Sequence, residues 1–319
     1  MTTVPIGITA RNEARNILAL LRSLRAAVDH AARETGCAYE LHLLLNDNQD
    51  ETPQLVAAEP GLTVWHTKGG LVEAQRAFAD RFNRSAPFVI FSDADIVVDR
   101  DTVAQVTRAM LDDPALQVAY SDKHPIEPAR RTPLARALYL YNLREGYQTH
   151  RNYFNGQFFA IRNWDIPTPD QLAWAPERDN GFLNLSAGIR CDDIYLSREL
   201  LGRVGPDAIR CVPAGVRYRP PETLVGMFRK YQRMVLEIER LNCYFPRTVD
   251  IHNRWGRRRL DRAKLAAAPV GEKLHYALFQ AALLLCKAAY ASQRIYYTHI
   301  ASRPCPTWLP VSETKERIP

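Results

Sequence analysis

The chain has 319 residues, 46% of them hydrophobic and 24% charged, a balance that excludes a disordered polypeptide and a membrane-embedded bundle. Its formal charge of +7 and pI of about 9.1 favour anionic partners: nucleotide phosphates, nucleic acid or an anionic membrane surface. Six cysteines are scattered without a C-x-x-C pair and no signal peptide opens the chain, so reduced thiols in a cytoplasmic protein are expected.

The first third alternates short apolar runs with helical patterns. Val4-Pro5-Ile6-Gly7-Ile8 reads as a strand, and the helix after it carries Ile17, Leu21, Leu24 and Val28 on one face and stops at Gly36. Further strands are expected at 41–45, 62–65 and 88–91, with helices at 52–58 and 71–82 between them. This βαβαβαβ order predicts an α/β fold with a mostly parallel central sheet and a ligand crevice beyond the carboxyl ends of its strands.

Each expected strand runs into polar residues. Thr9-Ala10-Arg11-Asn12-Glu13 follows the first, Asn46-Asp47-Asn48-Gln49-Asp50-Glu51-Thr52 the second, and Lys68-Gly69-Gly70 the third. The fourth ends in Asp93-Ala94-Asp95, where alternate residues of an extended chain point the same way and offer paired oxygens to a hard cation such as Mg2+ or Mn2+. Singly, these residues suit ordinary work: Asn12 as a helix cap, Asn46 and Asp47 as a turn, Asp-x-Asp as turn chemistry. Their recurrence at successive strand tips, with no G-x-G-x-x-G turn or P-loop, favours a nucleotide-diphosphate pocket.

The middle of the chain is less regular. Helices are expected at 103–111 and 134–146, a strand at 117–121, and another strand within 153–162 entered through an Asn155-Gly156 turn. An irregular loop is expected at 164–176. Cys191-Asp192-Asp193-Ile194 then opens a helix, where acidic residues serve as caps as readily as catalytic groups. A long amphipathic helix follows, with Leu224, Phe228, Tyr231, Val235, Ile238 and Leu241 on its buried side and Arg229, Lys230 and Arg233 near its start.

The order of these motifs, over roughly residues 4–240, resembles the family 2 glycosyltransferases of the GT-A fold. Residues 9–13 are similar to that family's first nucleotide-contacting loop, 46–52 to its Asp-Asp-x-Ser-x-Asp-x-Thr loop, and 68–76 to the loop and helix start before its fourth strand. The resemblance implies nucleotide contacts from Thr9, Ala10, Asn12, Glu13, Asp47, Lys68, Gly69, Asp93 and Arg233. It also implies a divalent cation, Mg2+ or Mn2+, on Asp95 with Asp93, acceptor contacts from Asn155, Gly156 and Asp192, and Asp193 as the catalytic base.

Three departures stand out. Asn46 replaces the usual first Asp of a loop that is one residue shorter, and no metal-ligand His stands near Tyr218 and Arg219. Lys230-Tyr231-Gln232-Arg233-Met234 keeps only the Arg of the Gln-x-x-Arg-Trp motif of processive members. The resemblance therefore implies inverting transfer of one sugar from a nucleotide-diphosphate donor, a UDP-sugar by expectation. The acceptor would be a glycan, lipid-linked or small-molecule hydroxyl in cell-surface glycan synthesis, with no nucleic acid partner. A sugar-1-phosphate-type nucleotidyltransferase, a non-catalytic nucleotide-sugar-binding protein and a retaining transferase are the competing readings.

Beyond about residue 245 the resemblance stops. The expected division is a catalytic domain at 1–245, with a nucleotide-binding half at 1–100 and an acceptor half at 101–245, and a basic helical extension at 246–319. In the extension Arg254, Arg257, Arg258, Arg259, Arg262 and Lys264 surround Trp255 and precede a helix with Leu274, Leu278, Ala281, Leu285 and Ala288 on one side. That helix either packs on the catalytic domain or makes peripheral contact with the inner face of a membrane. Its uncharged run at 274–286 falls short of the ~20 residues of a spanning helix.

Overall fold

In the computed structural model, residues 1–68, 70–149, 153–162, 182–185, 189–306 and 312–315 are described. The strands are β1 (Thr3–Ala10), β2 (Ala38–Asn46), β3 (Leu62–Thr67), β4 (Val89–Asp93), β5 (Ile96–Val98), β6 (Val118–Pro125), β7 (Phe158–Ile161) and β8 (Ile209–Tyr218). The helices are α1 (Ile17–Thr35), α2 (Thr52–Val56), α3 (Leu71–Phe82), α4 (Thr102–Asp112), α5 (Pro133–Leu143), α6 (Asp192–Arg203), α7 (Leu224–Tyr244), α8 (Val249–Ile251), α9 (Arg262–Ala267) and α10 (Val270–Ile295).

The strands form one sheet in the order β3-β2-β1-β4-β7-β6-β8-β5. β3, β2, β1 and β4 pair in parallel. β7 is inserted antiparallel between β4 and β6, β8 pairs parallel to β6, and β5 closes the edge antiparallel to β8. The sheet is thus mixed, and it continues without a break from the strands of residues 1–100 into those of residues 101–245. β5 and β8 escaped the sequence reading: β5 is three residues long, and β8 alternates buried and exposed positions only toward its end.

Two apolar layers sandwich this sheet. α1 and α4 pack on one face through Ile17, Leu20, Leu21, Leu24, Val103, Val106 and Met110. α3, α6 and α7 cover the other through Val72, Phe78, Ile194, Leu196, Leu236 and Leu241. β1 is the hinge of both layers, with Val4, Ile6 and Ile8 fully buried on one side, and Gly7 on the other lets Phe78 approach so closely that a β-carbon would lie 2.9 Å from its ring. Helix α1 ends as expected at Gly36, whose φ of +68° suits glycine and whose N–H returns to the Ala32 carbonyl.

Two helix faces depart in part from the sequence reading. In α7 Leu241 is buried and Phe228, Tyr231, Val235 and Ile238 pack half-buried against the core as expected, but Leu224 is exposed and the buried set extends to Gly226, Met227, Gln232, Leu236, Glu237, Arg240 and Tyr244. The helix lies between the sheet layer and α10, so it buries two sides and houses an ion pair, Glu237 to Arg240 at 2.8 Å. In α10 the packed residues are Phe279, Ala282, Cys286 and Tyr290, so Leu274, Leu278, Ala281, Leu285 and Ala288 form the exposed face. Tyr141 of α5 offers a flat ring that stacks on Phe279 at 3.4 Å, and this fixes which side turns inward.

Candidate active site

The crevice opens where β1, β2 and β4 end. Asn12 and Asp47, just past β1 and β2, both adopt left-handed backbone at φ of +58° and +47°, conformations that Asn and Asp tolerate better than other side chains. A lattice of side chains holds the two turns together. Asn48 Oδ1 accepts from Asn12 N–H (2.6 Å), Asn12 Oδ1 accepts from Gln49 N–H (2.7 Å), and Asn48 Nδ2 donates to the Ala10 carbonyl (3.2 Å). Thr52 Oγ1 and Asp50 Oδ2 accept from Glu13 N–H and Ala14 N–H. Asn12 is therefore a lock between loops, and the residue at the N-cap of α1 is Asn16. Asn46 is buried with its Oδ1 unpartnered among the described residues.

Asp93 ends β4 opposite Thr9 of β1, and its N–H donates to the Gln157 carbonyl (2.8 Å). Ala94 is buried while Asp93 and Asp95 on either side of it are half-buried, so both carboxylates face the crevice. From Asp95 the chain leaves the sheet centre for its far edge at β5. Burial, then Asp95, Asp192, Glu13 and Asp193, push the Asp93 carboxyl well above its usual range. Burial also raises Asp95, against the opposing pull of Lys315, Arg233 and Lys230. Burial and then Asp95 push Glu13 up to about 7.

Two half-buried carboxylates that resist ionising together are a donor set that suits a hard divalent cation. Among the described residues no three His, Cys, Asp or Glu side chains are grouped so as to enclose a metal ion.

Across the crevice stands the N-terminus of α6. Gly156 lies against it so tightly that a β-carbon there would come within 3.0 Å of Asp192 Oδ1 and 3.2 Å of Asp193 Cβ. Asn155 fixes this turn by donating from Nδ2 to the Ser121 carbonyl (2.7 Å). Asp192 is buried and accepts from Gln75 Nε2 of α3 (2.8 Å), and burial with the neighbouring Asp193 raises it to about 7. Asp193 has one oxygen engaged: Oδ1 accepts from Ile194 N–H (2.8 Å) and from the Cys191 thiol (3.0 Å). Burial and the adjacent carboxylates keep that thiol protonated, so it acts as a donor.

Positive charge arrives on α7. Lys230 is half-buried 5.8 Å from the Tyr218 ring, and burial, Lys123 and Arg233 push it down to about 7 against the pull of Asp95. Arg233, one turn on, acts on the same Asp95.

Residues 6–168, more than half of the chain, match the family model described as glycosyl transferase family 2. The chain belongs to this family. Its fold is similar to that of glucosyl-3-phosphoglycerate synthase from Mycobacterium tuberculosis, a structure in complex with Mn2+, UDP-glucose and phosphoglyceric acid, with a TM-score of 0.50, 19% identity, and 76% of this chain and 79% of that one covered. Mannosyl-3-phosphoglycerate synthase from Rubrobacter xylanophilus matches with a TM-score of 0.48, 19% identity and coverage of 75% and 74%. A Pyrobaculum calidifontis mannosyltransferase in complex with GDP-mannose and Mn2+ matches with a TM-score of 0.45, 17% identity and coverage of 94% and 81%. No curated protein matches the chain significantly.

Of the residues that the resemblance to family 2 singled out, the structure places Glu13, Asp95, Asp192 and Asp193 within electrostatic reach of Asp93, and Arg233 within reach of Asp95. Thr9, Ala10 and Asn12 line the same strand end, with Thr9 Oγ1 donating to the Ser92 carbonyl (3.4 Å), and Asn155 and Gly156 form the opposite wall. Asp47 is exposed at the β2 tip. Lys68 is exposed past β3 with no contact to the others among the described residues, and Gly69, like the expected loop at 164–176, lies outside those residues. Three participants were missed. Gln75 sits in the first turns of α3 facing the tips, a position the helix period could have revealed, and Cys191 precedes the acidic pair. Lys315 is some 300 residues from the loop it touches, and nothing local in the sequence announces it.

Proposed function

We propose that this family 2 member transfers a single sugar from a nucleoside-diphosphate sugar, a UDP-sugar by preference, to an acceptor hydroxyl with inversion, in synthesis of a cell-surface glycan or glycoconjugate. The observation that carries this reading is the placement of Asp193 across the Gly156 turn from the Asp93–Asp95 pair, with Lys230 and Arg233 beside the latter.

Transfer requires stabilised charge on the departing diphosphate and a deprotonated hydroxyl at the anomeric carbon. Asp47 and the Asn12–Asn48 lock would hold the base, Thr9 and Asp93 the ribose, and Lys230 with Arg233 the phosphates, with more effect as negative charge accumulates there. A divalent cation on Asp95 and Asp93, when bound, supplies Lewis-acid charge stabilisation to the diphosphate. Asp193 removes the acceptor proton with the oxygen that Ile194 N–H and Cys191 leave unengaged. Asp192, anchored by Gln75, and Asn155 shape the acceptor wall. The partial Lys230-to-Met234 motif supports transfer of one sugar per encounter.

Asp193→Asn is expected to keep donor binding by calorimetry while transfer falls ~10²–10⁴-fold. Unchanged turnover would sink the base assignment. Release of pyrophosphate in place of a nucleoside diphosphate during turnover would favour the nucleotidyltransferase reading.

A further inference from the structure

The chain's positive charge is not spread evenly. Residues 246–319 carry 13 Lys and Arg against 5 Asp and Glu, a net +8, whereas residues 1–245 carry 29 against 30, a net −1. Two of the five acidic residues of the extension are engaged within the fold: Asp261 caps α9, and Glu272 binds Arg144 and Tyr147. Arg254, Arg257, Arg259, Arg262 and Lys264 are exposed, and none is ion-paired to a carboxylate among the described residues.

The helix that follows this cluster carries an apolar face that no described residue covers. With Phe279, Ala282, Cys286 and Tyr290 packed inward, α10 presents Leu274 (67% exposed), Leu284 (64%), Leu285 (60%) and Ile295 (59%), with Ala277, Ala281, Ala288 and Ala291 between them. The helix runs about 39 Å at 1.5 Å per residue. Val270–Ile300 is apolar and long enough to cross a membrane by length and composition. Its inner face, however, is fastened to α5 and α7, and Arg294 pairs with Glu239 of α7. A helix fixed along one side and apolar along the other is suited to lie on a bilayer.

We propose that the extension docks this enzyme on an anionic lipid bilayer, with α10 inserted along its exposed face and the 254–264 cluster on the headgroups. Charge selects this occupant. A two-fold contact with a second copy through the same face would bring the exposed basic clusters of the two copies, Arg254, Arg257, Arg259, Arg262 and Lys264, toward one another, which like-charge repulsion disfavours. The cluster is also joined to the acceptor side. His252 lies 3.0 Å from the Tyr153 hydroxyl, Gly256 packs on the Tyr153 ring, and Thr149 N–H donates to the Arg259 carbonyl (2.8 Å). Tyr153 is two residues from Asn155, so docking holds the acceptor wall near the lipid, which suits an amphiphilic acceptor. This last step rests on the proposed transferase reading, while the docking itself does not.

Flotation of the full chain with vesicles of phosphatidylcholine, alone or mixed with phosphatidylglycerol, tests the docking without any catalytic step. Binding is expected only to the mixed vesicles and should weaken as salt is raised. Arg257→Ser, Arg262→Ser and Lys264→Ser combined should lower partition by roughly 100-fold or more. Leu284→Glu with Leu285→Glu should abolish it, and UDP binding should be unchanged in both variants. Equal flotation of wild type and variants, or no flotation with anionic vesicles, overturns the proposal. So does a dimer in solution that the Leu284→Glu/Leu285→Glu variant dissociates while vesicles bind neither protein. Loss of UDP binding in wild type with vesicle binding intact would count against the transferase reading alone.

Discussion

Lys315 donates from its ammonium to the carbonyls of Arg11 (2.7 Å) and Asn12 (3.3 Å) and ion-pairs with Glu13, while Asn16 Nδ2 donates to the Lys315 carbonyl (3.3 Å). The first loop is thus held from outside by a short turn at 312–315, at the residue whose backbone is left-handed. Its charge also lowers the proton affinity of Glu13 and Asp95, opposing the effect of burial on both. Lys315→Met keeps the stem and removes the donor, so two carbonyls and a buried carboxylate lose a charge-assisted partner. The donor KM is expected to rise about tenfold with little change in kcat, from the loss of bonds worth ~1.5 kcal/mol or more. Lys315→Arg should recover part of the loss. An unchanged donor KM in Lys315→Met would show that the turn has no hold on the loop.

At the level of elements, the crevice is an assembly of carboxylates from three places: Glu13 after β1, Asp93 and Asp95 at β4, and Asp192 and Asp193 at α6. Burial lifts Glu13 from 4.5 to about 7 and Asp192 from 3.8 to about 7. With folded values above unfolded ones, the native state binds more protons between them. The stability they contribute is complete below about pH 4 and is lost as pH rises through about 7. Without nucleotide or cation, Asp192→Asn should therefore gain in Tm relative to wild type as pH rises across that window. A constant or shrinking difference by scanning calorimetry would contradict the burial argument. The first three strand–helix pairs and the Asp93-Ala94-Asp95 triplet were legible because hydrophobic period and polar strand tips are local signals. The insertion of β7 between β4 and β6, and the Gln75–Asp192 bond over 117 positions, depend on pairings that no local pattern encodes.

For the whole molecule, the open question is whether 246–319 is an appendage or part of one folded body. The sequence suggested a boundary near 245 because the motif order ends there, yet α10 fills a third apolar cluster that also contains Ala137 and Leu138 of α5 and Met227 of α7. Phe279 is 6% exposed and stacks on Tyr141 with the rings 10° from parallel, and Arg144 grips Glu272 at 3.0 and 2.8 Å. The ion pair is partly exposed and contributes about 0–1 kcal/mol, so the apolar contact decides the matter. Truncating Phe279 removes a buried aromatic ring that α5 cannot collapse to replace, and Phe279→Ala is expected to cost about 3 kcal/mol or more in chemical denaturation. If the extension and the catalytic part are one cooperative unit, that loss moves a single transition monitored by both tryptophan emission and circular dichroism. Two transitions, with only the weaker one shifted by Phe279→Ala, would restore the boundary at 245 and make the extension a domain of its own.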